Sequence, residues 1–173
     1  SAMLNGYEHY MLKEIHEEPK VFLDTLKYYV ENNNFKNTMP ELKNYQHIHI
    51  VACGSAYYVG CIGKNLIEEY ANIPVDVEVA SEYRYKKVFY DENTLVIVIS
   101  QSGETADTLA ALRKAKEENI DTLAIVNAVG SSIAREANYT LYVKAGPEIA
   151  VATTKDFLAQ VTLITQKKEK KKR

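Results

Sequence analysis

The sequence is poor in the features that mark several large classes of protein. It has two cysteines, Cys53 and Cys61, which are too few for a disulfide framework and lack the spacing of metal ligands. No apolar run approaches the roughly 20 residues of a membrane-spanning helix, and the N-terminal region has no signal-peptide core. The net charge of −2 gives no general attraction to nucleic acid or to an anionic membrane. We therefore expect a soluble, cytoplasmic protein without nucleic-acid or membrane partners.

Sequence motifs for nucleotides and metals are also missing. Gly103 is not followed by the lysine of a P-loop, and the three glycines within 54–63 lack the spacing of a dinucleotide-binding fingerprint. His47 and His49 alternate along an apolar run, and we expect none of the four histidines to pair with a cysteine or an acid cluster. The sequence therefore predicts neither a metal site nor a nucleotide cofactor.

Five short apolar runs alternate with helix-type patterns, in a chain whose hydrophobic share of 46% is that of an ordinary globular domain. We predict strands at 47–53, 75–80, 95–99, 121–128 and 139–145. We predict helices at 55–71 and 132–138, a short one at 81–85, and others beginning after Thr105 and near Thr153. Strands that alternate with helices on short connections predict an α/β fold, a doubly wound five-stranded parallel sheet flanked by helices.

The chain is divided by composition into four segments. Residues 1–5 have the character of a tag-removal scar and leader, and 6–46 form a predicted N-terminal helical segment broken near Pro19. The folded domain is expected at 47–166. Residues 167–173 are a run of basic charge, which predicts a solvated and disordered tail.

The loop after the third strand carries the main functional signal. Three hydroxyls and an amide, from Ser100, Gln101, Ser102 and Thr105, lie between a strand end and a helix start. The first helical turn has unpaired N–H groups and a partial positive charge, so such a loop suits the phosphate of a sugar. Serine and threonine are also common helix caps, and the carboxylate of Glu104 compensates the helix dipole. The pattern alone fits a phosphate site and a simple cap equally well.

Four segments of the chain resemble the glutamine–fructose-6-phosphate aminotransferase family, also called the glucosamine-6-phosphate synthases. They are SQSGETADTL at 100–109, ASEYRY at 80–85, VACGSAYYVG at 51–60 and HYMLKEIHEEP at 9–19. The resemblance is to the first sugar isomerase (SIS) subdomain of the family and spans residues 6–166. It implies a flavodoxin-like three-layer sandwich and a homodimer.

The resemblance also implies a substrate-binding site. Its residues in this chain are Ser55, Ala56, Ser100, Gln101, Ser102, Thr105 and Val151. The family's second loop is usually Cys-Gly-Thr-Ser, so Ser55 keeps a hydroxyl where Ala56 has lost one. A hydrogen bond lost to a charged group costs about 1.5–3 kcal/mol if nothing replaces it. Asp156 also departs from the family, which usually has a small apolar residue there.

By resemblance, the parent enzyme moves ammonia from glutamine to fructose 6-phosphate and releases glucosamine 6-phosphate, without a metal or a cofactor. The family's glutaminase domain and second SIS subdomain have no counterpart in these residues, so we expect no catalytic residue and no activity from this chain alone. Its predicted ligand is fructose 6-phosphate or glucosamine 6-phosphate. One alternative is a standalone SIS module that senses a sugar phosphate and regulates a partner. The other is a non-binding structural remnant that self-associates.

Overall fold

The fold was determined from a computed structural model, which describes residues 40–142. After a 3-10 turn at Leu42–Asn44, five strands alternate with four helices. They are β1 His47–Ala52, α1 Ser55–Ala71, β2 Val75–Val79, α2 Ala80–Tyr83, β3 Thr94–Ser100, α3 Ala106–Glu117, β4 Asp121–Val126, α4 Ser132–Glu136 and β5 Tyr139–Tyr142. Within 40–142, no helix has the length and apolar character needed to cross a lipid bilayer.

The five strands form one parallel sheet in the order β2-β1-β3-β4-β5. The chain moves outward from β1 to β2, then crosses back to β3 on the other side of β1. In register, Ala52 of β1 lies beside Ile99 of β3, so these two strands end at the same edge of the sheet. The order changes direction between β1 and β3, and open α/β sheets bind ligands at such a point.

Both faces of the sheet are buried, as the uninterrupted apolar run of β3 predicts. Side chains alternate along this strand, so Leu95, Ile97 and Ile99 pack with α1 on one face. Val96 and Val98 pack on the other face against α2, α3 and α4. This arrangement, with helices on both faces, confirms the predicted doubly wound three-layer sandwich.

The predicted elements are present, with differences at their ends. The second strand ends at Val79 because Ala80 already begins α2, and β4 ends at Val126. There the backbone N–H of Asn127 turns to donate to the carbonyl of Gln101 at 3.1 Å. The predictions for 1–39, for the helix near Thr153 and for the tail lie outside the described residues.

Candidate functional site

The candidate site lies at the carboxyl ends of β1 and β3. The loop from Ser100 to Thr105 connects β3 to α3, and we call it the hydroxyl loop. The loop at 53–54 connects β1 to α1. Because β1 and β3 are neighbouring parallel strands, both loops leave the sheet at one edge, beside the point where the strand order changes direction.

The hydroxyl loop is held by hydrogen bonds to Ser100. Its buried Oγ lies 2.9 Å from Thr105 Oγ1, so one hydroxyl donates to the other across the loop. The same Oγ accepts a hydrogen bond from the backbone N–H of Gly103 at 3.1 Å. These contacts join the two ends of the loop and hold it in one conformation.

Two predicted site residues of the hydroxyl loop are exposed. Ser102 lies in solvent, where its Oγ accepts a 3.2 Å hydrogen bond from the N–H of Glu104 and keeps its own proton free to donate. Gln101 is also exposed at the side chain. Its backbone carbonyl is the acceptor for Asn127, which anchors the loop to the end of β4.

The simple-cap interpretation does not describe this helix start. Thr105 occupies the N-cap position of α3, yet within the described residues its side chain makes no capping hydrogen bond and is paired with Ser100 instead. The helix has 12 residues, long enough to carry a substantial dipole, and Asp107 is the acidic residue of its first turn. The start of α3 is therefore free of a side-chain cap from Thr105.

Gly103 is required by the shape of the loop. Its φ of +67° is in the left-handed region, and a Cβ there would lie 2.0 Å from Ser131 Oγ and 2.5 Å from Ser131 Cβ. The loop after β4 therefore packs directly onto the hydroxyl loop. Sequence reasoning missed this third loop, because a serine before a helix is an ordinary N-cap pattern and does not point to a neighbouring loop.

Glu104 lies in the loop as a carboxylate that is already engaged. Its Oε1 accepts a 2.7 Å hydrogen bond from the backbone N–H of Ser132, at the start of α4. That bond, with help from the charge of Arg135, lowers the pKa of Glu104. Ser131 occupies the N-cap position of α4, yet within 40–142 its side chain makes no capping bond, and Glu104 supplies the acceptor.

The second loop contributes the first residues of α1. Ser55 is exposed and Ala56 is half-buried, directly after Gly54. Cys53 is half-buried, because it follows the last residue of β1 at the sheet edge. Its Sγ lies 4.0 Å from the hydroxyl of Thr108 in the first turn of α3, which connects the two loops.

Arg84 also lies near the start of α3. Its Nη1 donates to Asp107 Oδ1 at 2.6 Å, and its guanidinium lies 4.8 Å from the centre of the Tyr85 ring. The carboxylate raises the pKa of Arg84, so its charge is held by this ion pair. The remaining predicted site residue, Val151, lies outside the described residues.

The groups assembled here are donors rather than acids or bases. Hydroxyls of Ser102 and Thr105, the amide of Gln101 and the first N–H groups of α3 are neutral and suited to the oxygens of an anion. Proton abstraction requires a base within about 2.6–3.2 Å of the reacting proton, and the one carboxylate of the hydroxyl loop is bound to α4. Within 40–142, the site therefore offers neutral donors of the kind that suit an anion.

Comparison with known proteins identifies the domain. A family model described as the SIS domain matches residues 41–167. The glutamine–fructose-6-phosphate aminotransferase (isomerizing) of Clostridium tetani is 52% identical over 167 residues, which are 93% of this chain and 28% of that enzyme. The enzyme of Caldanaerobacter subterraneus is 51% identical over 167 residues, which are again 93% of this chain and 28% of that enzyme.

A solved structure gives the same relationship. The C-terminal domain of glucosamine-fructose-6-phosphate aminotransferase from Francisella tularensis is 37% identical, with a TM-score of 0.79 over 96% of this chain and 49% of that one. The chain spans little more than a quarter of the curated relatives' length and is homologous to that part of them. The resemblance seen in the four sequence segments is thus confirmed, and the chain belongs to the SIS domain family.

Proposed function

We propose that this chain is the sugar-phosphate-binding part of a glutamine-dependent fructose-6-phosphate aminotransferase. Its ligand is fructose 6-phosphate or glucosamine 6-phosphate, and the phosphate is bound by the hydroxyl loop. The observation that carries the proposal is the start of α3, which Thr105 does not cap and which hydroxyls surround at the point where the strand order changes direction. The aminotransferase relatives favour this ligand class over other anions.

The hydrogen bonds suggest separate roles within the loop. Ser100 is buried and accepts from Gly103, so we propose that it donates to Thr105 and leaves the Thr105 proton free for a phosphate oxygen. Ser102 accepts from Glu104 and has its proton free in the same way. Ser100 then positions the loop, and Ser102 and Thr105 contact the ligand.

The second loop and the rest of the enzyme complete the proposal. Ser55 adds a hydroxyl at the start of α1, and Ala56 contributes only its backbone N–H; Gln101 and Val151 are further proposed contacts. The proton transfers of ketose-to-aldose isomerisation need a base, and we propose that other parts of the enzyme supply it. This chain by itself is then expected to bind without catalysing the reaction.

Assembly and location form a further part of the proposal. We propose that the protein is a homodimer and that it is located in the cytoplasm. The two free cysteines accord with that location, because disulfides are rare there. Large apolar side chains at Tyr58 and Ile62 lie one turn apart on α1 and are exposed, as is Phe89. Light scattering during size exclusion tests the dimer, and a monomer at all concentrations would exclude it for this chain.

The binding proposal is tested by thermal unfolding with fructose 6-phosphate, glucosamine 6-phosphate, fructose and inorganic phosphate. A ligand at 100 times its dissociation constant adds about 2.7 kcal/mol to the free energy of unfolding. That is a rise of roughly 5–11 °C in the melting temperature of a chain of this size. We expect both sugar phosphates to stabilise the protein and fructose to have no effect.

Variants assign the effect to the hydroxyl loop. Ser102→Ala and Thr105→Val remove the proposed ligand donors, and each is expected to reduce the stabilisation. Ser81→Ala is the matched control, because Ser81 is an exposed serine of α2 outside the site. The proposal fails if the sugar phosphates give no shift, or if the two loop variants respond to them as the control does.

A further inference from the structure

A second group of polar side chains lies at the opposite end of the sheet from the hydroxyl loop. His47 begins β1 and His49 follows two residues later, so both side chains are on the same face. Parallel pairing sets His49 beside Asp76 of β2. We call His47, His49 and Asp76 the histidine cluster. No role in sugar-phosphate binding is proposed for it.

The cluster has the spacing of a metal site. Each of its three residues offers one ligand atom, and within 40–142 these atoms all lie within 4.8 Å of one another. His47 Nε2 is 3.0 Å from Asp76 Oδ2. Zinc bonds to nitrogen and oxygen ligands are about 2.0–2.2 Å long, which sets neighbouring ligands of a tetrahedral site about 3.3 Å apart. To bind one ion, the ligand atoms that are farthest apart would have to approach from at most 4.8 Å to about 3.3 Å.

A carboxylate outside the cluster holds the His47 ring. Asp91, in the loop before β3, has Oδ2 2.7 Å from His47 Nδ1. The loop is itself fixed, because Thr94 Oγ1 donates to the Asp91 carbonyl at 2.8 Å. Histidines that bind metals ordinarily donate their second ring N–H to such a carboxylate, which orients the ring and raises its basicity. In this arrangement Nε2 of His47 is left for an ion.

His49 provides an independent sign of a missing partner. It is only 4% exposed, and among the described residues neither of its ring nitrogens has a hydrogen-bond partner. The rings of Tyr83 and Tyr90 surround it, with centroids 6.1 and 5.7 Å away, and the hydroxyl of Tyr83 donates to that of Tyr90. Glu78 Oε1 lies 3.8 Å from Nδ1, beyond hydrogen-bond distance. A buried polar group without a partner is costly, and an ion would satisfy it.

We propose that the histidine cluster binds a divalent transition-metal ion of the zinc class. His47, His49 and Asp76 are the three protein ligands, and Asp91 is a positioning residue that acts through His47. Two imidazoles and a carboxylate suit zinc, cobalt and nickel better than calcium or magnesium. Asp76 is 57% exposed at its side chain, so water completes the coordination from the solvent side. The ion would join β1 to β2 at the edge remote from the sugar-phosphate loop.

The spacing along the sequence does not reveal this site. Asp76 and Asp91 are far from the histidines in the chain, and only strand pairing and the loop before β3 bring them together. The competing arrangement is an ion-pair cluster without metal, in which a protonated His47 lies between the two carboxylates. The two arrangements make opposite predictions for zinc binding.

The test is calorimetric titration of the chelator-treated full chain with zinc alone. We expect one zinc bound per chain and a raised melting temperature. Asp76→Ala removes a ligand, and Asp91→Ala removes the positioning carboxylate, which typically weakens affinity on the order of 10–100-fold. Both residues are exposed, so the variants are expected to fold. Glu92→Ala is the matched control, since it removes an exposed carboxylate next to Asp91 and is expected to bind zinc as the parent does.

A second measurement reads the histidines directly and needs no variant. Zinc is expected to shift the imidazole nitrogen resonances of His47 and His49 in long-range proton–nitrogen spectra and to leave the other two histidines unchanged. The proposal is overturned if zinc does not bind, if Asp76→Ala binds as tightly as the parent, or if the shifted resonances belong to other histidines. In each of those cases the cluster is a set of ion pairs.

Discussion

Replacing Gly103 with alanine tests the geometry on which the candidate site depends. The substitution combines two penalties. Holding a residue with a Cβ in the left-handed region costs about 1–2 kcal/mol, and φ is +67° here. The new Cβ would also lie 2.0 Å from Ser131 Oγ, and overpacking of this kind costs about 1–3 kcal/mol. Together the two penalties lower the free energy of unfolding by about 2–5 kcal/mol.

The chain supplies a control that separates the two penalties. Gly130 has a φ of +74°, but a Cβ there has no atom within 4 Å. Gly130→Ala therefore measures the backbone penalty alone, about 1–2 kcal/mol. In a Ser131→Gly background, which removes both clashing atoms, the cost of Gly103→Ala should fall to the same range.

Urea unfolding of the parent, the three single variants and the double variant gives the free energies, and the fructose 6-phosphate titration gives the effect on the site. Fructose 6-phosphate is also expected to stabilise the Gly103→Ala variant less than the parent, because the hydroxyl loop must shift to relieve the contact with Ser131. Equal costs for Gly103→Ala and Gly130→Ala would refute the close packing of the two loops. So would a Gly103→Ala cost that Ser131→Gly leaves unchanged.

Three smaller predictions follow from individual contacts, each measured by urea unfolding. Glu104→Ala leaves the N–H of Ser132 without its acceptor and should lower the free energy of unfolding, as the loss of a helix cap does. Tyr45→Phe breaks a 2.7 Å hydrogen bond to a carboxylate at the start of β4 and should cost about 1.5–3 kcal/mol. Glu136→Gln should reduce the decrease in the free energy of unfolding that occurs as the pH is lowered. Arg113 lowers the pKa of Glu136. The pair therefore contributes fully to the free energy of unfolding at pH values above the ordinary pKa of 4.5, and this contribution is lost as the pH falls through the lowered pKa.

For two of these predictions a second variant is the control. Glu104→Gln keeps an oxygen acceptor and should cost less than the alanine variant; equal costs would exclude the capping role. An unchanged free energy in Tyr45→Phe would show that its hydroxyl is satisfied equally by water. Glu117→Gln, at an exposed carboxylate of α3, is the control for the pH series. If Glu117→Gln reduces the loss of stability at low pH as much as Glu136→Gln does, the ion pair with Arg113 does not cause the pH dependence.

The sequence alone was sufficient to predict the architecture. A strand that is buried on both faces must be apolar along its whole length, and the run at 95–99 is of that kind. Alternation of such runs with helical patterns leaves a parallel sheet with helices on both faces as the simplest arrangement. The hydroxyl loop was found for the same reason, since its residues are contiguous and lie where a strand pattern gives way to a helix pattern.

The tertiary structure decided which partners these residues have. In the sequence, Thr105 fits a cap of α3 and Glu104 fits a carboxylate that compensates its dipole. In the structure, Thr105 pairs with Ser100, and Glu104 accepts from the start of α4, 28 residues away. Local patterns report a residue's neighbours along the chain, whereas a hydrogen bond between loops depends on strand order and register. The histidine cluster shows the same limit, because Asp76 reaches His47 only through the pairing of β1 with β2. The residues of one segment determine its secondary structure, and the packing of segments determines the chemistry at their ends.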